Sequence, residues 1–231
     1  MMTDVERMKC VSCQNKSVCF EKLSSVELEF VDKKRVELKY RKGEVIAKQG
    51  SFVTHILFVQ QGLTKVYKEV NEEHNLILNI FPKGSLIGLS ALYNNDVAQY
   101  SVAAIEDSII CSIDKKEFEE LVFENGKFAA SVITAINNCT FYNIDKILSL
   151  TNKQHNGRLA EALLFISDKI YESNKFKLSL SRKDLAEFTG MSVMSVVRIL
   201  KDFNNDNIIS SSGKTIEILD FVRLKRISET G

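Results

Sequence analysis

The run Leu178–Phe203, LSLSRKDLAEFTGMSVMSVVRILKDF, constrains this chain more than any other, because consecutive local signals encode two short helices and the turn between them. Ser181 followed three residues on by Asp184 forms a capping-box start, and Leu185 and Phe188 give the first helix an inward face. Thr189-Gly190-Met191 supplies the turn, with Gly190 free to adopt a positive φ. Ser192 is placed to cap the second helix, on which Val196, Ile199 and Leu200 share one face at i, i+3, i+4 spacing. The other face carries Val193, Met194, Ser195, Val197, Arg198 and Lys201. A helical hairpin that only packs would not set Arg198 and Lys201 beside three outward apolar side chains. A helix lying in a DNA major groove would, since arginine donates bidentately to guanine and apolar groups touch thymine methyls.

The segment that follows, Ile208–Ile218 (IISSSGKTIEI), reads as two β segments around Ser-Ser-Gly-Lys, a hairpin wing with Lys214 at its turn. Two helices, a turn and a wing make a DNA-binding module. Its candidate contacts are Ser192, Val193, Met194, Ser195, Val197, Arg198, Lys201 and Lys214. The formal net charge of +1 says little by itself, but its distribution is informative. From Asn152 onward there are 13 Lys and Arg against 10 Asp and Glu, so the basic excess lies with this module. The excess is modest, and phosphate affinity then requires it concentrated on one face or doubled by dimerisation.

Nothing in the 231 residues approaches a membrane-spanning apolar run, and MMTDVERMKC carries no signal-peptide core. The expected place of work is the cytoplasm, with no membrane partner. In a reducing compartment the five cysteines, at 10, 13, 19, 111 and 139, point to metal or redox chemistry rather than to a disulfide framework. Three lie in CVSCQNKSVC, a C-x2-C-x5-C cluster in a polar segment with no periodic apolar face of its own. A metal held by thiolates would supply the order that such a segment lacks.

Four regions follow from the pattern: a cysteine-bearing segment over 1–23, a β domain over 24–126, a long helix over 127–151 and the DNA-binding domain over 152–231. Within the second, Ser24–Leu38 reads as a short helix passing into a strand. Lys39–Ile113 then gives short β segments punctuated by Gly43, Gly50, Gly62, Gly84 and Gly88, the signature of an antiparallel barrel or roll. Asp114 starts another helix. Beyond Gly126, Ile133, Ile136, Thr140, Asn143, Ile147 and Leu150 recur at alternating three and four spacing, the a/d pattern of a coiled coil whose simplest partner is a second copy of the chain. The competing reading is a stripe that packs only on its own β domain. Thr151–Gly157, polar and ending in glycine, is expected to be a hinge, with Arg158–Tyr171 the first helix of the next domain. The fold class is therefore α+β. No dinucleotide fingerprint or convergent acid–base set is present, so no enzyme is expected.

This order of β-roll, long helix, hinge, helix-turn-helix and wing resembles the CRP/FNR family of bacterial transcription regulators, most specifically in KGEVIAKQG, HILFVQQGLTKVYK, FPKGSLIGL and AEFTGMSVMSVVRILKDF. The resemblance implies a homodimer on a two-fold symmetric double-stranded DNA site, with RNA polymerase a further partner if the output is activation. Loops of the β-roll make that contact in the family, and the turn Asn94–Gln99 is a candidate by position.

Members that bind cyclic AMP carry a glutamate after the Ile-Gly of this β segment and an Arg-Ser pair further on. Here Leu89 follows Gly88, and the pair reads Tyr100-Ser101, so nothing pairs with a buried phosphate and cyclic AMP is not the expected effector. The family's FNR-type oxygen sensors have an N-terminal C-x2-C-x5-C and a fourth cysteine just before the helix that follows the last β-roll strand. Cys10, Cys13, Cys19 and Cys111 match, which implies the ligands of a 4Fe-4S cluster. Zinc, or no metal with Cys111 as ordinary core, remains the alternative, as does haem, nitric oxide or a small organic ligand in the β-roll. Cys139 reads as packing, and His55, His74 and His155 as surface or loop residues. Where the family often has glutamate this chain has Met194, while Arg198 matches the guanine-reading arginine.

Overall fold

The structure, a computed structural model, describes residues 9–71, 75–93 and 97–231. His74 and the first three residues of the Asn94–Gln99 turn lie outside them. The chain divides into two compact units: residues to Val66 with Ile80–Phe141, and Tyr67–Asn79 with Tyr142–Gly231.

The first unit begins with short 3-10 turns at Cys10–Ser12 and Phe20–Lys22. Helix α1 (Ser25–Lys34) follows, started by a full capping box between Ser24 and Glu27. Eight strands come next in the chain, with the parts of β4 and β5 between Tyr67 and Asn79 falling in the second unit: β1 (Val36–Tyr40), β2 (Val45–Ala47), β3 (His55–Gln61), β4 (Leu63–Glu69), β5 (Asn75–Pro82), β6 (Leu86–Ile87), β7 (Ser101–Ala104) and β8 (Ser108–Asp114). They form two four-stranded sheets, ordered β1-β8-β3-β6 and β2-β7-β4-β5, the β-roll anticipated from the glycine-punctuated segments. Strand β8 pairs antiparallel with both β1 and β3, so that Cys111 stands opposite Glu37 on one side and Phe58 on the other. Asp114 caps α2 (Lys115–Glu124), as its position predicted.

The core around the cysteines is aromatic. Phe20 stacks on Phe128 with ring centroids 6.2 Å apart, and lies 5.5 Å from Phe58 and 6.4 Å from Phe118. Phe118 and Phe128 in turn lie 5.2 Å apart. Helix α3 (Gly126–Asn152) carries Phe128 and runs 27 residues, about 40 Å at helical rise. The division into units falls within it, between Phe141 and Tyr142.

In the second unit α4 spans His155–Phe165 and passes into one π-helical turn at Ile166–Ile170. The expected hinge is therefore reduced to Lys153 and Gln154. Gly157, read as a breaker, lies inside α4. A Cβ there would sit 2.6 Å from the carbonyl oxygen of Gly231, so the glycine serves a close backbone approach instead. Strand β9 (Lys175–Lys177) precedes α5 (Arg182–Thr189) and α6 (Val193–Asn205). The Ser181–Asp184 capping box is present, and Gly190 ends α5 at φ 63°. Strands β10 (Ile209–Ser212) and β11 (Thr215–Ile218) make the wing, which β9 extends to three strands in the order β10-β11-β9. A last helix, α7 (Phe221–Thr230), buries Leu224 and is capped by Asp220.

Candidate functional site

Two sites emerge, one in each unit. In the first, Cys10, Cys13 and Cys111 line one cavity of about 20 Å³ with Lys16, Phe20, Arg35 and Gln60. About a hundred residues of chain separate the first two cysteines from the third. Cys19 is 3% exposed and belongs to the same hydrophobic cluster as Cys111, without lining the cavity. Cys139 stands apart on α3, half-buried.

Hydrogen bonds tie the N-terminal segment over the roll. The Cys10 amide donates to Asp32 Oδ1 (3.1 Å), Asn15 Nδ2 to the Gln60 carbonyl (3.0 Å) and Asn125 Nδ2 to the Lys22 carbonyl (3.3 Å). The Cys111 thiol donates to Gln60 Oε1 at 3.1 Å and accepts from Arg35 Nη1 at 3.1 Å. Burial pushes the Cys111 thiol up to about 12 and the Cys10 thiol up to about 11, against the pull of Arg35. Both are thus protonated at neutral pH, and a metal that takes their sulfurs must displace protons.

Among the described residues no three His, Cys, Asp or Glu side chains converge closely enough to hold a single metal ion. The four cysteines are gathered into one cluster of the core but not onto one point. Their chemistry fits a thiolate-bound iron–sulfur cluster: four sulfur donors, with Arg35 and Lys16 beside them to balance negative charge.

The second site is the outward face of α6. Ser192 Oγ accepts from the Ser195 amide at 3.1 Å, which fixes where the helix starts. Val196, Ile199, Leu200 and Phe203 are buried, whereas Val193, Met194 (77% exposed), Val197, Arg198 and Lys201 are exposed and Ser195 is half-buried. Among the described residues no hydrogen bond or ion pair occupies the Arg198 or Lys201 side chain. Lys214 is exposed at the wing turn, beside Gly213 at φ 60°.

A cyclic nucleotide-binding domain model matches residues 37–125 and a Crp-like helix-turn-helix domain model matches residues 157–227, together well over half of the chain. The chain belongs to the CRP/FNR family of transcription regulators. The fumarate and nitrate reduction regulatory protein of Vibrio cholerae is 24% identical over 226 residues, covering 95% of this chain and 90% of the relative. The transcriptional activator protein Anr of Pseudomonas aeruginosa is also 24% identical, over 93% of this chain and 90% of its own. Among solved structures, FixK2 from Bradyrhizobium japonicum superposes with a TM-score of 0.79 at 21% identity, covering 85% of this chain and 98% of that one. A CooA mutant from Carboxydothermus hydrogenoformans covers 99% and 98% with a TM-score of 0.73 at 21% identity. This CRP/FNR regulator is therefore a DNA-binding protein and not an enzyme. Among its described residues no helix is long and apolar enough to cross a membrane.

In this regulator's β-roll, the cavity that a cyclic nucleotide would need measures about 700 Å³ and has Gly88, Ser90, Gln99 and Tyr100 in its wall. Leu89 is buried in the core, and the Ser101 hydroxyl accepts from the Gln49 amide at 2.8 Å. Among the described residues no arginine lines the cavity, and Lys48 does.

Along α3 the exposed apolar side chains are Ile133, Phe141, Ile144, Ile147 and Leu148. Thr140 and Asn143 are exposed with them, while Ile136 packs against the β-roll core and Leu150 is half-buried, its Cδ2 within 2.9 Å of where a Gly190 Cβ would lie. The a/d spacing thus missed Phe141, Ile144 and Leu148. It also missed Arg35, Asp32 and Gln60, which meet the cysteines only through tertiary contact. Nothing in the sequence sets Arg35 apart from its neighbours in DKKR.

Proposed function

We propose that this regulator binds a two-fold symmetric DNA site as a homodimer and senses oxygen, redox state or nitric oxide through a 4Fe-4S cluster on Cys10, Cys13, Cys19 and Cys111. The observation that carries the reading is the meeting of Cys10, Cys13 and Cys111 at one cavity, with Cys19 in the adjoining core. When bound, the cluster would cross-link the N-terminal segment to β8 and supply an oxidisable centre. The chain's own residues do the rest. Phe20 anchors the segment, and its stacking partner Phe128 lies at the start of α3.

Dimerisation rests on the apolar stripe Ile133, Phe141, Ile144, Ile147 and Leu148, which a second copy would cover. Dimerisation would set two α6 helices about one DNA turn apart, with Arg198 reading a guanine and Lys201 and Lys214 meeting phosphate. Three relatives bear the name of activators, which supports RNA polymerase as a further partner. A cytoplasmic location follows from that work.

The test is iron and acid-labile sulfide analysis with a visible spectrum on protein purified without oxygen. About four irons and four sulfides per chain, bleached by air and lost in Cys13→Ser, are the expected result. A metal-free wild type, or full regulation in Cys13→Ser, refutes the reading. The 700 Å³ cavity favours one second reading, a small organic effector in the β-roll, since its size suits such a ligand. A colourless protein whose DNA affinity changes with an added metabolite fraction would support it.

A further inference from the structure

Arg35 is 3% exposed, yet it is an arginine in the wall of a cavity formed by thiols and aromatic rings. Such a charge is stable only where its donors are used. Here they are: Nε donates to Asp32 Oδ1 at 3.1 Å, and Nη1 donates to Glu37 Oε2 at 3.1 Å and to Cys111 Sγ at 3.1 Å. Cys10 lines the same cavity as this guanidinium. Its backbone position is equally defined. Arg35 is the C-cap of α1, and its amide donates to the Val31 carbonyl, so the side chain leaves the helix just where the chain turns into β1. Asp32 binds the Arg35 side chain and the Cys10 amide through the same oxygen.

We propose that Arg35 is the positioning residue of the cysteine site, donating an N–H bond to the Cys111 sulfur in the cavity that Cys10 also lines, so that it fixes where that sulfur stands and sets how readily the bound cluster is oxidised. The inference rests on the iron–sulfur reading above. Asp32 and Glu37 offset the full charge of the guanidinium, so what reaches the Cys111 sulfur is chiefly the N–H dipole. Donors to a ligating thiolate withdraw electron density from it and favour the more reduced cluster. A lysine keeps the charge but not the planar fork that serves two carboxylates and a sulfur at once.

The experiment compares wild type, Arg35→Met and Arg35→Lys after anaerobic reconstitution, reading the cluster midpoint potential and the half-life of its visible absorbance in air. Arg35→Met should bind iron, shift the potential to a more negative value and shorten the air half-life by about threefold or more. Arg35→Lys should fold as the wild type does and shift in the same direction by less. If Arg35→Met does not fold, the lysine variant carries the test alone. A wild type with four irons and variants with unchanged potential and half-life overturn this inference and leave the iron–sulfur reading standing. A wild type that takes up no iron overturns both.

Discussion

Phe20→Ala is the substitution that separates the cysteine segment from the β-roll most cleanly. Phe20 is 5% exposed and touches three rings, those of Phe58, Phe118 and Phe128. In a rigid core, truncating such a side chain costs about 3–5 kcal/mol, including roughly 0.5–1.5 kcal/mol for each favourable ring pair. This core is thin on its N-terminal side, because little besides Cys19, Phe20 and Leu23 is buried apolar surface in the described part of the segment, and Val11 and Val18 are exposed. Loss of Phe20 should therefore appear as local opening. At 1.4 kcal/mol per tenfold, a loss of about 3 kcal/mol raises the open population of residues 9–23 by about a hundredfold. Hydrogen exchange resolves this directly. The amides of Glu21, Lys22 and Leu23, which donate to the carbonyls of Ser17, Cys19 and Phe20, should lose about two decades of protection. The amides of β3 should hold theirs, and iron occupancy should fall with the segment. Wild-type protection at 21–23, or an equal loss in β3, would refute the view that Phe20 is the local anchor.

Arg198→Ala should weaken DNA binding by about 1–3 kcal/mol and relax selectivity at one base pair, read by titrating sites mutated one position at a time; an equal loss on every sequence contradicts a base contact. Ile144→Glu places a charge in the exposed stripe of α3 and should yield a monomer by sedimentation at micromolar concentration, with the fold intact by circular dichroism. Lys146 donates to the Phe188 carbonyl and lies 3.5 Å from the Phe188 ring centroid, in a cavity of about 170 Å³ that Asp145, Arg158 and Glu161 also line. Burial, partly countered by Glu161, pushes its pKa down from 10.5 to about 7. Between those values the unfolded chain binds the extra proton, so stability should rise with pH by up to about 1.4 kcal/mol per unit and be lost as pH falls toward 7. In Lys146→Met the denaturant midpoint should vary less between pH 7 and 9; an unchanged slope would remove Lys146 as the cause.

What the sequence disclosed was local, and what it withheld was tertiary. The capping pair Ser181/Asp184, the Gly190 turn and the buried face of α6 each depend on residues within four positions of one another, and each stands where it was expected. Strand β9 is three residues long, too short for a period, and exists because β11 offers it an edge. Gly157 carried a breaker signal yet sits in α4, because the approach of Gly231 requires an absent side chain there. On α3 the exposed apolar side chain beside the expected Asn143 is its neighbour Ile144, a one-position offset of the kind that arises because 3.6-residue turns depart from a strict heptad. The cysteine spacing drew attention to the right residues, but nothing at sequence distance revealed that Arg35 would bond Cys111, 76 residues away.

The aromatic cluster gives the proposed sensor a physical route to its output. Phe20 follows Cys19 directly and stacks on Phe128, in the first turn of α3, the helix that bears the apolar stripe proposed for dimerisation. On the iron–sulfur reading, ligation at Cys10, Cys13 and Cys19 contributes its binding energy to ordering a segment that has little of its own. Cluster loss then withdraws that energy from Phe20 and hence from Phe128. Coupling of this kind needs an element with two arrangements that both sites bias, and the Phe20–Phe128 stack is the contact through which the bias would pass. Phe20→Leu tests the route apart from the cluster, since leucine fills much of the volume without stacking. It should retain iron while the DNA affinities of the cluster-bound and cluster-free proteins draw together. If they stay as far apart as in the wild type, the signal does not travel through this stack.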